Sequence, residues 1–359
     1  MESVLVIGGC GALGHRLVSE LLRLDSPPHH VYVFDVRTEN NRLEMFQYHN
    51  VDITSKDQVK ATLRKLSPLP EVIIHTASPP PGLLDLELYI KVNVEGTRNL
   101  LECAEDLGVK AFVYTSSASV IHDAVSDLVE ADETFPLVFL PTQQEIYSHT
   151  KALADQLVLE GNNPKKGFLT ACIRPSGIFG ENEPTARSLA ENAAAGKLKY
   201  QIGNGRNLFD FTYVTNVIDA HILAAQALLR QHKTPVSDES LRVDGQGFVI
   251  TNDEHILFWD FARGIGNAAG YPIRSEDVTK IPMFVALAMA IFAEWWVWIV
   301  SFGRKQSRMN RVGIRYSCMT RTYKIDKAKR VLGYRPRVSL QEGIRRAGSS
   351  FLEKDRKAE

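Results

Sequence analysis

The chain has 359 residues, enough for one large domain or two modest ones, and 44% of them are hydrophobic, which permits a sizeable core. Its 42 basic and 42 acidic residues balance, so neither a nucleic-acid-binding surface nor an acidic disordered tail is expected. The four cysteines form no C-x-x-C pair, which argues against a zinc site or a disulfide framework and favours a reducing, cytosol-facing environment.

Short β-branched runs alternate with amphipathic helical stretches through the first half of the chain. The first run is too short for a signal peptide and is followed at once by glycines. The predicted strands are 4–7, 31–34, 72–75, 112–115 and 170–173, and the predicted helices are 13–24, 56–66, 87–107 and 144–159. Such alternation is typical of βαβ units with helices on both faces of the sheet. The sequence therefore predicts an α/β protein with a doubly wound parallel sheet of the Rossmann type.

The pattern becomes irregular after Pro175, with frequent glycine, asparagine and proline through residue 205. A dinucleotide-binding domain is therefore predicted at 1–175. A smaller C-terminal substrate domain is predicted from 176–207 and 233–359, and 208–232 should pack back onto the first domain. A late helical pattern at 326–332 ends at Gly333 and is followed by Pro336, which is a helix-stop signal.

One apolar segment departs from the pattern of a soluble domain. Residues 281–302 contain a single charge, Glu294, and are followed by Arg304 and Lys305. The run is long enough to span a bilayer, but the chain must afterwards return to the cofactor sheet. We therefore expect 281–303 to lie on a membrane surface, with its tryptophans at the interface and the two basic residues near headgroups. The alternatives are a pair of buried helices or a dimer interface.

A glycine-rich turn joins the first predicted strand to the first predicted helix. It contains Gly8, Gly9, Gly11 and Gly14. One glycine permits a tight turn, one lets the backbone approach a pyrophosphate, and one lets the helix pack on the strand. The helix N-terminus then offers free N–H groups to phosphates. The turn predicts a dinucleotide site, to which Ala12 and Leu13 also belong, rather than a plain glycine-rich turn.

An acidic residue, Asp35, ends the second predicted strand, where its carboxylate can accept hydrogen bonds from the adenosine ribose. Its charge would repel a 2′-phosphate, so NAD is preferred to NADP, although Arg37 lies nearby. Asp52 and Ile53 follow Asn50-Val51 and are placed after a strand that lies between the second predicted strand and the helix 56–66, where a carboxylate can face the adenine amine. The alternative for Asp52 is a role in the N-cap region of a helix.

Tyr147 and Lys151 stand four residues apart at the start of a predicted helix, which places them on one face. Tyrosine is a poor base at its ordinary pKa of about 10. A neighbouring ammonium and a positively charged nicotinamide would favour the phenolate, so Tyr147 is predicted to remove a hydroxyl proton while hydride leaves the same carbon. Ser117, after the strand 112–115, is predicted to donate to the substrate oxygen. Ser116 and Ser119 are rivals for that role or cap the backbone.

Three histidines, His75, His122 and His149, carry the side chain most often used as a base or metal ligand near neutral pH. They lie on separate predicted elements and have no ligand spacing. We therefore interpret them as structural or exposed, and no metal site is predicted.

The motifs together resemble those of the extended short-chain dehydrogenases. The first group is GGCGALG, Asp35, NVEGTRNLLE (93–102), YTSSASV, Tyr147-x-x-x-Lys151 and RPSGIFG (174–180). Three later stretches are similar to the 3β-hydroxysteroid dehydrogenase branch and, within it, to the fungal sterol-4α-carboxylate 3-dehydrogenases (decarboxylating). They are GNGRNLFDFTYVTNVIDAHILAA (203–225), FVITND (248–253) and KIDKAKRVLGYRPRVSLQEGI (324–344). The resemblance covers nearly the whole chain.

The resemblance implies a 4-carboxysterol substrate with a 3β-hydroxyl. Tyr147 would take the hydroxyl proton while NAD accepts hydride from C3. The resulting β-keto acid would lose its carboxylate readily, because the departing electrons enter the ketone as an enolate. No separate base or metal is then required, and Ser117 and Tyr147 would stabilise the enolate oxygen.

The resemblance also implies further contacts around the cofactor. Lys151 would hydrogen-bond the nicotinamide ribose, and Asn93 would occupy the family's helix position near the site. The remaining cofactor neighbours are expected to be Ala77, Pro175, Ser176 and Ile178.

Two regions that should border the substrate depart from the family pattern: His122-Asp123-Ala124, and FLPTQQEIY before the tyrosine. A relative that acts on another polycyclic terpenoid in secondary metabolism is therefore the leading alternative. A nucleotide-sugar epimerase is disfavoured by the apolar segment, and an idle NAD-binding scaffold by the intact Ser117, Tyr147 and Lys151. A sterol substrate favours the cytosolic face of the endoplasmic reticulum membrane, and a homodimer remains open.

Overall fold

The computed structural model describes residues 1–302, 304, 307 and 309–358, with the backbone alone for 353–358. Gly303 and Lys305, at the end of the predicted membrane-associating segment, lie outside the described residues. The strands in chain order are β1 (Ser3–Ile7), β2 (His30–Asp35), β3 (Gln47–Asn50), β4 (Val72–His75), β5 (Ala111–Thr115), β6 (Leu128–Ala131), β7 (Leu169–Pro175), β8 (Gly177–Phe179), β9 (Tyr200–Ile202), β10 (Leu208–Tyr213), β11 (Gln246–Ile250), β12 (His255–Leu257), β13 (Thr279–Ile281) and β14 (Arg321–Tyr323).

The α-helices and the shorter helical turns connect these strands. The α-helices are α1 (Ala12–Leu21), α2 (Lys56–Leu63), α3 (Leu86–Tyr89), α4 (Thr97–Leu107), α5 (Ile146–Glu160), α6 (Pro184–Ala194), α7 (Val214–Lys233), α8 (Phe258–Ala268), α9 (Met283–Ser301), α10 (Arg311–Tyr316) and α11 (Leu340–Ala358). π-Helical segments span Ile90–Gly96 and Ala328–Leu332, and 3₁₀ turns span Ala118–Ile121, Pro164–Lys166, Lys197–Lys199, Glu239–Leu241 and Ser275–Asp277.

The central sheet has seven strands in the order β11-β7-β5-β4-β1-β2-β3, and all its neighbours are parallel. From β1 the chain runs outward to β2 and β3, then crosses to β4 and continues toward the opposite edge. This reversal beside β1 is the topological switch point of a doubly wound sheet, beside which ligands of such folds bind. The predicted Rossmann architecture is confirmed.

Each face of the central sheet has its own hydrophobic core. Strand side chains alternate between faces, so Val4 and Val6 of β1 enter one core while Leu5 and Ile7 enter the other. Residues of α1 and α7 complete the first core, and residues of α2 and α4 complete the second. Because both faces are covered, β1 is buried along its whole length, which explains its unbroken apolar run.

A second, smaller sheet has the order β12-β10-β14-β6, with β8 beside β10, and β9 pairs separately with β13. It combines β6, from the range 1–175, with strands from the C-terminal half. Of the range 208–232, which the sequence places against the first domain, α7 packs on the central sheet against β5 and β7, whereas β10 belongs to the smaller sheet. By contrast, β11 joins the central sheet beside β7, although the sequence places 233–359 in the substrate domain. The boundary between the two domains otherwise remains a prediction.

The apolar segment forms α9, which is long and apolar enough to cross a membrane by length and composition. Only 11% of its most apolar window is buried, and its buried residues are Ala286 and Ala290. The alternative of a helix buried in the core is therefore wrong for α9. The helix packs on α10, where Glu294 accepts hydrogen bonds of 2.7 Å from the backbone N and the Nε of Arg311.

Candidate active site

The glycine-rich turn lies at the carboxyl end of β1 and leads directly into α1. Gly8 has φ +79°, and a Cβ there would lie 2.8 Å from the Ala77 backbone. A Cβ on Gly14 would lie 2.8 Å from the Gly9 Cα, so the start of α1 packs directly on the turn. A Cβ on Gly9 would meet the Val33 side chain at 2.5 Å. Each position is therefore restricted to glycine by contact, as the motif predicts.

A cavity of about 680 Å³ opens beside this turn. This volume is typical of small-molecule sites. The predicted cofactor residues that line it are Gly8, Gly11, Ala12, Leu13, Gly14, Asp35, Asp52, Ile53 and Ala77. Gly9, Lys151, Pro175 and Ile178 lie outside its lining. Sequence reasoning missed several lining residues, among them Asn40, Asn41, Thr76, Ser78, Pro79 and Pro80, which lie in loops after β2 and β4 without a recognisable motif.

Asp35 is held at the end of β2 by two backbone donors. Its Oδ2 accepts from the Cys10 N–H of the glycine turn at 3.0 Å, and its Oδ1 accepts from the Arg37 N–H at 3.1 Å. The carboxylate is thus fixed at the cavity wall, beside the turn that would hold the phosphates. This is the position in which a ribose-binding acid is needed.

Asp52 lines the same cavity and also organises the turn before α2. Its Oδ1 accepts from the Thr54 N–H at 2.9 Å, whereas the N-cap of α2 is Ser55. Asp52 therefore lies in the N-cap region of α2, before the cap residue, and it also lines the cavity.

Lys151 is buried on the first turns of α5, with 2% of its surface exposed. Its Nζ donates to the Thr115 carbonyl at the end of β5 and lies 4.4 Å from the centroid of the Tyr114 ring. Burial lowers the pKa of Lys151 to about 7, against opposing contributions from Cys172 and Asp155. The amine is therefore placed at the end of β5 and is close to half-protonated at neutral pH.

Tyr147 is half-buried one turn before Lys151, and its ring meets that of Tyr89 edge-on at 5.7 Å. Burial raises the pKa of Tyr147 above its ordinary range, the charge of Glu145 raises it further, and a hydrogen bond with Ser78 opposes both. The ammonium effect that the sequence predicts is not among the main causes of this shift, of which burial is the largest. Without cofactor, Tyr147 is a protonated phenol at neutral pH.

Ser117 begins a row of hydrogen-bonded side chains that runs toward the rim of the site. Its Oγ lies 2.8 Å from that of Ser119, which lies 2.9 Å from that of Ser148, and Ser148 donates to Glu145 Oε2 at 2.6 Å. Ser117 also accepts from the Ser119 N–H at 3.2 Å and so caps the turn after β5. Of the three candidate serines, Ser117 is the half-exposed one, while Ser116 and Ser119 are buried.

Two buried polar atoms near this strand end have no hydrogen-bond partner within the described part of the chain: the Oγ of Ser116 and the Oδ1 of Asn93. Asn93 lies in the π-helical segment before α4, and its Nδ2 donates to Thr150 Oγ1 at 3.1 Å. Buried polar groups are nearly always paired, so these two atoms mark a place where a ligand or water completes the site. The structure thus brings Asn93 to the catalytic helix, as the resemblance implies.

The β7 end lies beside the β5 end, because the Ser116 N–H donates to the Ile173 carbonyl at 2.7 Å. Pro175 closes β7, and the Ser176 Oγ lies 2.8 Å from the Thr212 Oγ1. Ile178 lies in β8, paired with β10. The three residues therefore lie on the side of the site opposite the glycine turn, where a role along the nicotinamide remains a prediction.

The three histidines have structural surroundings. His75 Nε2 lies 3.1 Å from Thr97 Oγ1, and burial lowers the pKa of His75 to about 3. His122 bonds the Ser126 carbonyl at 2.7 Å, and burial lowers its pKa to about 4. His149 accepts from the Leu140 N–H at 3.2 Å. In the described part of the chain, no group of three or more His, Cys, Asp or Glu side chains could hold a metal.

A glycine turn at a switch point, an acid after β2, and a tyrosine and lysine on one helix facing the end of β5 define an extended short-chain dehydrogenase, an oxidoreductase. The model of the 3-beta hydroxysteroid dehydrogenase/isomerase family matches residues 5–283. The chain belongs to this family.

Similar proteins cover almost the whole chain. The sterol-4-alpha-carboxylate 3-dehydrogenase (decarboxylating) of Candida albicans is 39% identical over 355 residues, covering 96% of this chain and 96% of that protein. The Saccharomyces cerevisiae protein of that name is 37% identical over 353 residues, again covering 96% of both. The mouse protein is 36% identical over 357 residues, covering 98% of this chain and 92% of that protein.

Solved structures share the fold at lower identity. The crystal structure of gox2253 is similar with a TM-score of 0.74 at 24% identity and covers 99% of both chains. The UDP-glucose 4-epimerase of Thermus thermophilus, solved with NAD, has a TM-score of 0.70 at 21% identity and covers 97% of this chain and 98% of that one. These likenesses support the two-part architecture and nothing finer.

Proposed function

We propose that the protein oxidises the 3β-hydroxyl of a 4-carboxysterol, or of a related triterpenoid, to the 3-ketone with loss of the C4 carboxylate, and that NAD is the oxidant. The observation that carries the proposal is the placement of Tyr147 and Lys151 on one helix, facing the strand end that carries Ser117. The substrate class is supported by the relatives, three of which carry the name sterol-4-alpha-carboxylate 3-dehydrogenase.

The residues beside the glycine turn fit a dinucleotide. Gly8 and Gly14 leave no space for a Cβ, so the turn and the start of α1 pack as tightly as a dinucleotide-binding turn requires. Asp35 is fixed at the cavity wall and would accept from ribose hydroxyls, which favours NAD over NADP. A bound NAD supplies the hydride acceptor for C3 of the substrate.

In the proposed mechanism, Tyr147 takes the hydroxyl proton and Ser117 hydrogen-bonds the same oxygen. Because burial raises the pKa of Tyr147, the phenolate must be stabilised when cofactor and substrate are bound. Lys151 would hydrogen-bond the nicotinamide ribose and, when protonated there, favour the phenolate. The β-keto acid then loses its carboxylate as CO₂, and Tyr147 and Ser117 hydrogen-bond the enolate oxygen.

We further propose that α9 attaches the protein to the cytosolic face of the endoplasmic reticulum membrane without crossing it. Its three tryptophans, Trp295, Trp296 and Trp298, are 60 to 66% exposed. Four more exposed apolar side chains accompany them: Phe284, Ile291, Phe292 and Phe302. Tryptophan is favoured at the membrane interface, and a sterol would reach the enzyme from lipid.

The test is to incubate the purified protein with NAD and a 4-carboxysterol and to measure NADH and the decarboxylated 3-ketone. We expect both products from the native protein and none from Tyr147→Phe, which should still bind NAD. Tyr271→Phe is the matched control and should retain activity, because the Tyr271 ring meets Phe351 edge-on away from the site. Turnover by Tyr147→Phe would contradict the assignment of the base. Turnover only with another polycyclic terpenoid would favour the secondary-metabolism alternative.

A further inference from the structure

A second buried cation lies near the active site on β14. Arg321 is 7% exposed, and its guanidinium carbon lies 5.0 Å from the centroid of the Tyr316 ring and 5.3 Å from that of Phe209. Its Nη2 and Nε donate to the Tyr323 Oη at 2.9 and 3.2 Å. These are two of the five N–H donors of a guanidinium, and the Nη1 group has no hydrogen bond with any described residue.

Arg321 forms no ion pair with a carboxylate in the described part of the chain. The other buried arginine near the site, Arg174, is 5% exposed and binds Asp155 through two hydrogen bonds of 2.9 and 2.6 Å. The contrast is informative because a buried charge is costly unless it is paired. Aromatic faces compensate a guanidinium only in part. The charge of Glu145 acts on Arg321 only through space, so the guanidinium has no bonded counter-ion among the described residues and is prepared for an anion from outside the chain.

Arg321 contacts two tyrosines, Tyr323 and Tyr316, and each of them reaches a residue beside the proposed catalytic side chains. The Tyr323 Oη, which accepts from Arg321, donates to the carbonyl of Ala118, the residue after Ser117, at 3.3 Å. On the other side, the Tyr316 Oη, whose ring stacks on Arg321, lies 3.5 Å from Glu145 Oε2. Glu145 and Tyr316 both act on the pKa of Tyr147, which places them beside the catalytic phenol.

We propose that Arg321 is the counter-ion of the substrate carboxylate, an inference that rests on the proposed function. In a 4-carboxysterol the carboxylate-bearing carbon is bonded to the carbon that carries the reacting hydroxyl. When that hydroxyl meets Tyr147 and Ser117, the carboxyl carbon lies three bonds from the hydroxyl oxygen, so its counter-ion must stand next to the reacting group, as Arg321 does through Tyr323 and Tyr316. A planar guanidinium with free donors suits a carboxylate, which it can bind through two parallel hydrogen bonds.

The proposed ion pair between Arg321 and the substrate carboxylate exists before decarboxylation and is lost afterwards. Oxidation leaves the carboxylate on the β-keto acid, so Arg321 keeps its counter-ion. Decarboxylation then breaks the bond between C4 and the carboxyl carbon, the electron pair forms the enolate, and CO₂ leaves as a neutral molecule. Uptake of one proton converts the enolate to the ketone, which has no anion for Arg321. The product is therefore held less tightly than the substrate.

The test compares two substrates on two arginine variants. We expect Arg321→Met to lower kcat/KM for a 3β-hydroxysterol carrying a 4-carboxylate by about 100-fold, mainly through KM. The same change should leave the matched sterol with a methyl group in place of the carboxylate unaffected. Arg321→Lys, which keeps the charge, should recover part of the preference. The Kd of the ketone product should be equal for the native protein and Arg321→Met.

Thermal unfolding provides a second measurement that separates binding from folding. Arg321→Met replaces an unpaired buried cation with an apolar chain and should not lower Tm, whereas Arg174→Met leaves Asp155 unpaired and should lower it. Equal loss of activity on both sterols, or no loss on either, would overturn the role of Arg321 while the proposed function stands. If the native protein oxidises neither sterol, the proposed function itself fails.

Discussion

At the residue scale, spacing predicts which side chains are the candidates for catalysis, but it does not predict their protonation states. Tyr147 and Lys151 are recognisable because four residues make one helical turn. That Lys151 has a pKa of about 7, and that Tyr147 is held protonated, depends on burial by segments distant in sequence. Arg321 was missed for the same reason: nothing in a local pattern shows that an arginine has no carboxylate partner among the described residues.

Asp35 provides the prediction at this scale. Asp35→Ser removes the charge that would face a 2′-phosphate but keeps an acceptor for the Cys10 N–H. We expect the ratio of NADP to NAD affinity to rise at least about tenfold, or ~1.4 kcal/mol, as measured by cofactor fluorescence titration. Asp52→Ser, at the same cavity but bonded to Thr54, is the control and should leave the ratio unchanged. An unchanged ratio in Asp35→Ser would remove the basis for preferring NAD.

At the element scale, the strands of the central sheet in the first half were predictable and the short strands were not. A strand buried on both faces is a continuous apolar run, as β1 and β4 are. By contrast, β12 and β14 have three residues each, and their conformation follows from pairing with β10. The apolar segment was predicted as a unit because 19 residues of α9 carry one charge, Glu294.

The prediction at this scale concerns α9 and membranes. Replacing Trp295, Trp296 and Trp298 by serine removes exposed aromatic surface without touching the buried Ala286 and Ala290. We expect binding to phosphatidylcholine vesicles in a flotation assay to weaken at least about tenfold. In the matched control, three exposed apolar residues outside α9 are replaced by serine: Met45, Leu84 and Val129. This control should leave flotation unchanged.

Two outcomes would contradict membrane attachment by α9. In the first, the native protein does not float with vesicles. In the second, the tryptophan variant floats as the native protein does, but sedimentation shows that the native protein is a dimer and the variant a monomer. The second outcome would identify α9 as an interface between two copies of the chain.

At the scale of the whole molecule, the active site lies between the central sheet and a small sheet drawn from distant segments. β6 precedes the catalytic helix, whereas β10, β12 and β14 follow it by 48 residues or more. The sequence predicts a second unit after Pro175 but not the crossing of β6 into it or of β11 out of it. Neither strand has a distinctive pattern, and only the assembled fold determines their partners.

Burial of Lys151 makes stability depend on pH in a defined direction. Its pKa falls from an ordinary 10.5 to about 7 on folding, so between these values the unfolded chain binds a proton that the folded protein lacks. The cost of burying the ammonium is fully present below pH 7, and the free energy of unfolding should rise as pH rises toward 10.5. We expect denaturant unfolding at pH 7.5 and 9.5 to show this rise relative to Lys151→Met, which cannot titrate. No rise relative to that variant would mean that Lys151 remains charged when buried.

The row of hydroxyls from Ser117 to Glu145 has a polarity as well as a geometry. Each hydroxyl carries one hydrogen, so Ser148 cannot donate to Glu145 Oε2 and to the Ser119 Oγ at the same time. The hydrogen bond between Ser117 and Ser119 can run in either direction. While Ser119 donates to Ser117, Ser117 keeps its own hydrogen for a substrate oxygen; when Ser117 donates to Ser119, it meets that oxygen only with its lone pairs. The arrangement of hydrogens along the row therefore decides whether Ser117 gives or receives a hydrogen bond at the substrate.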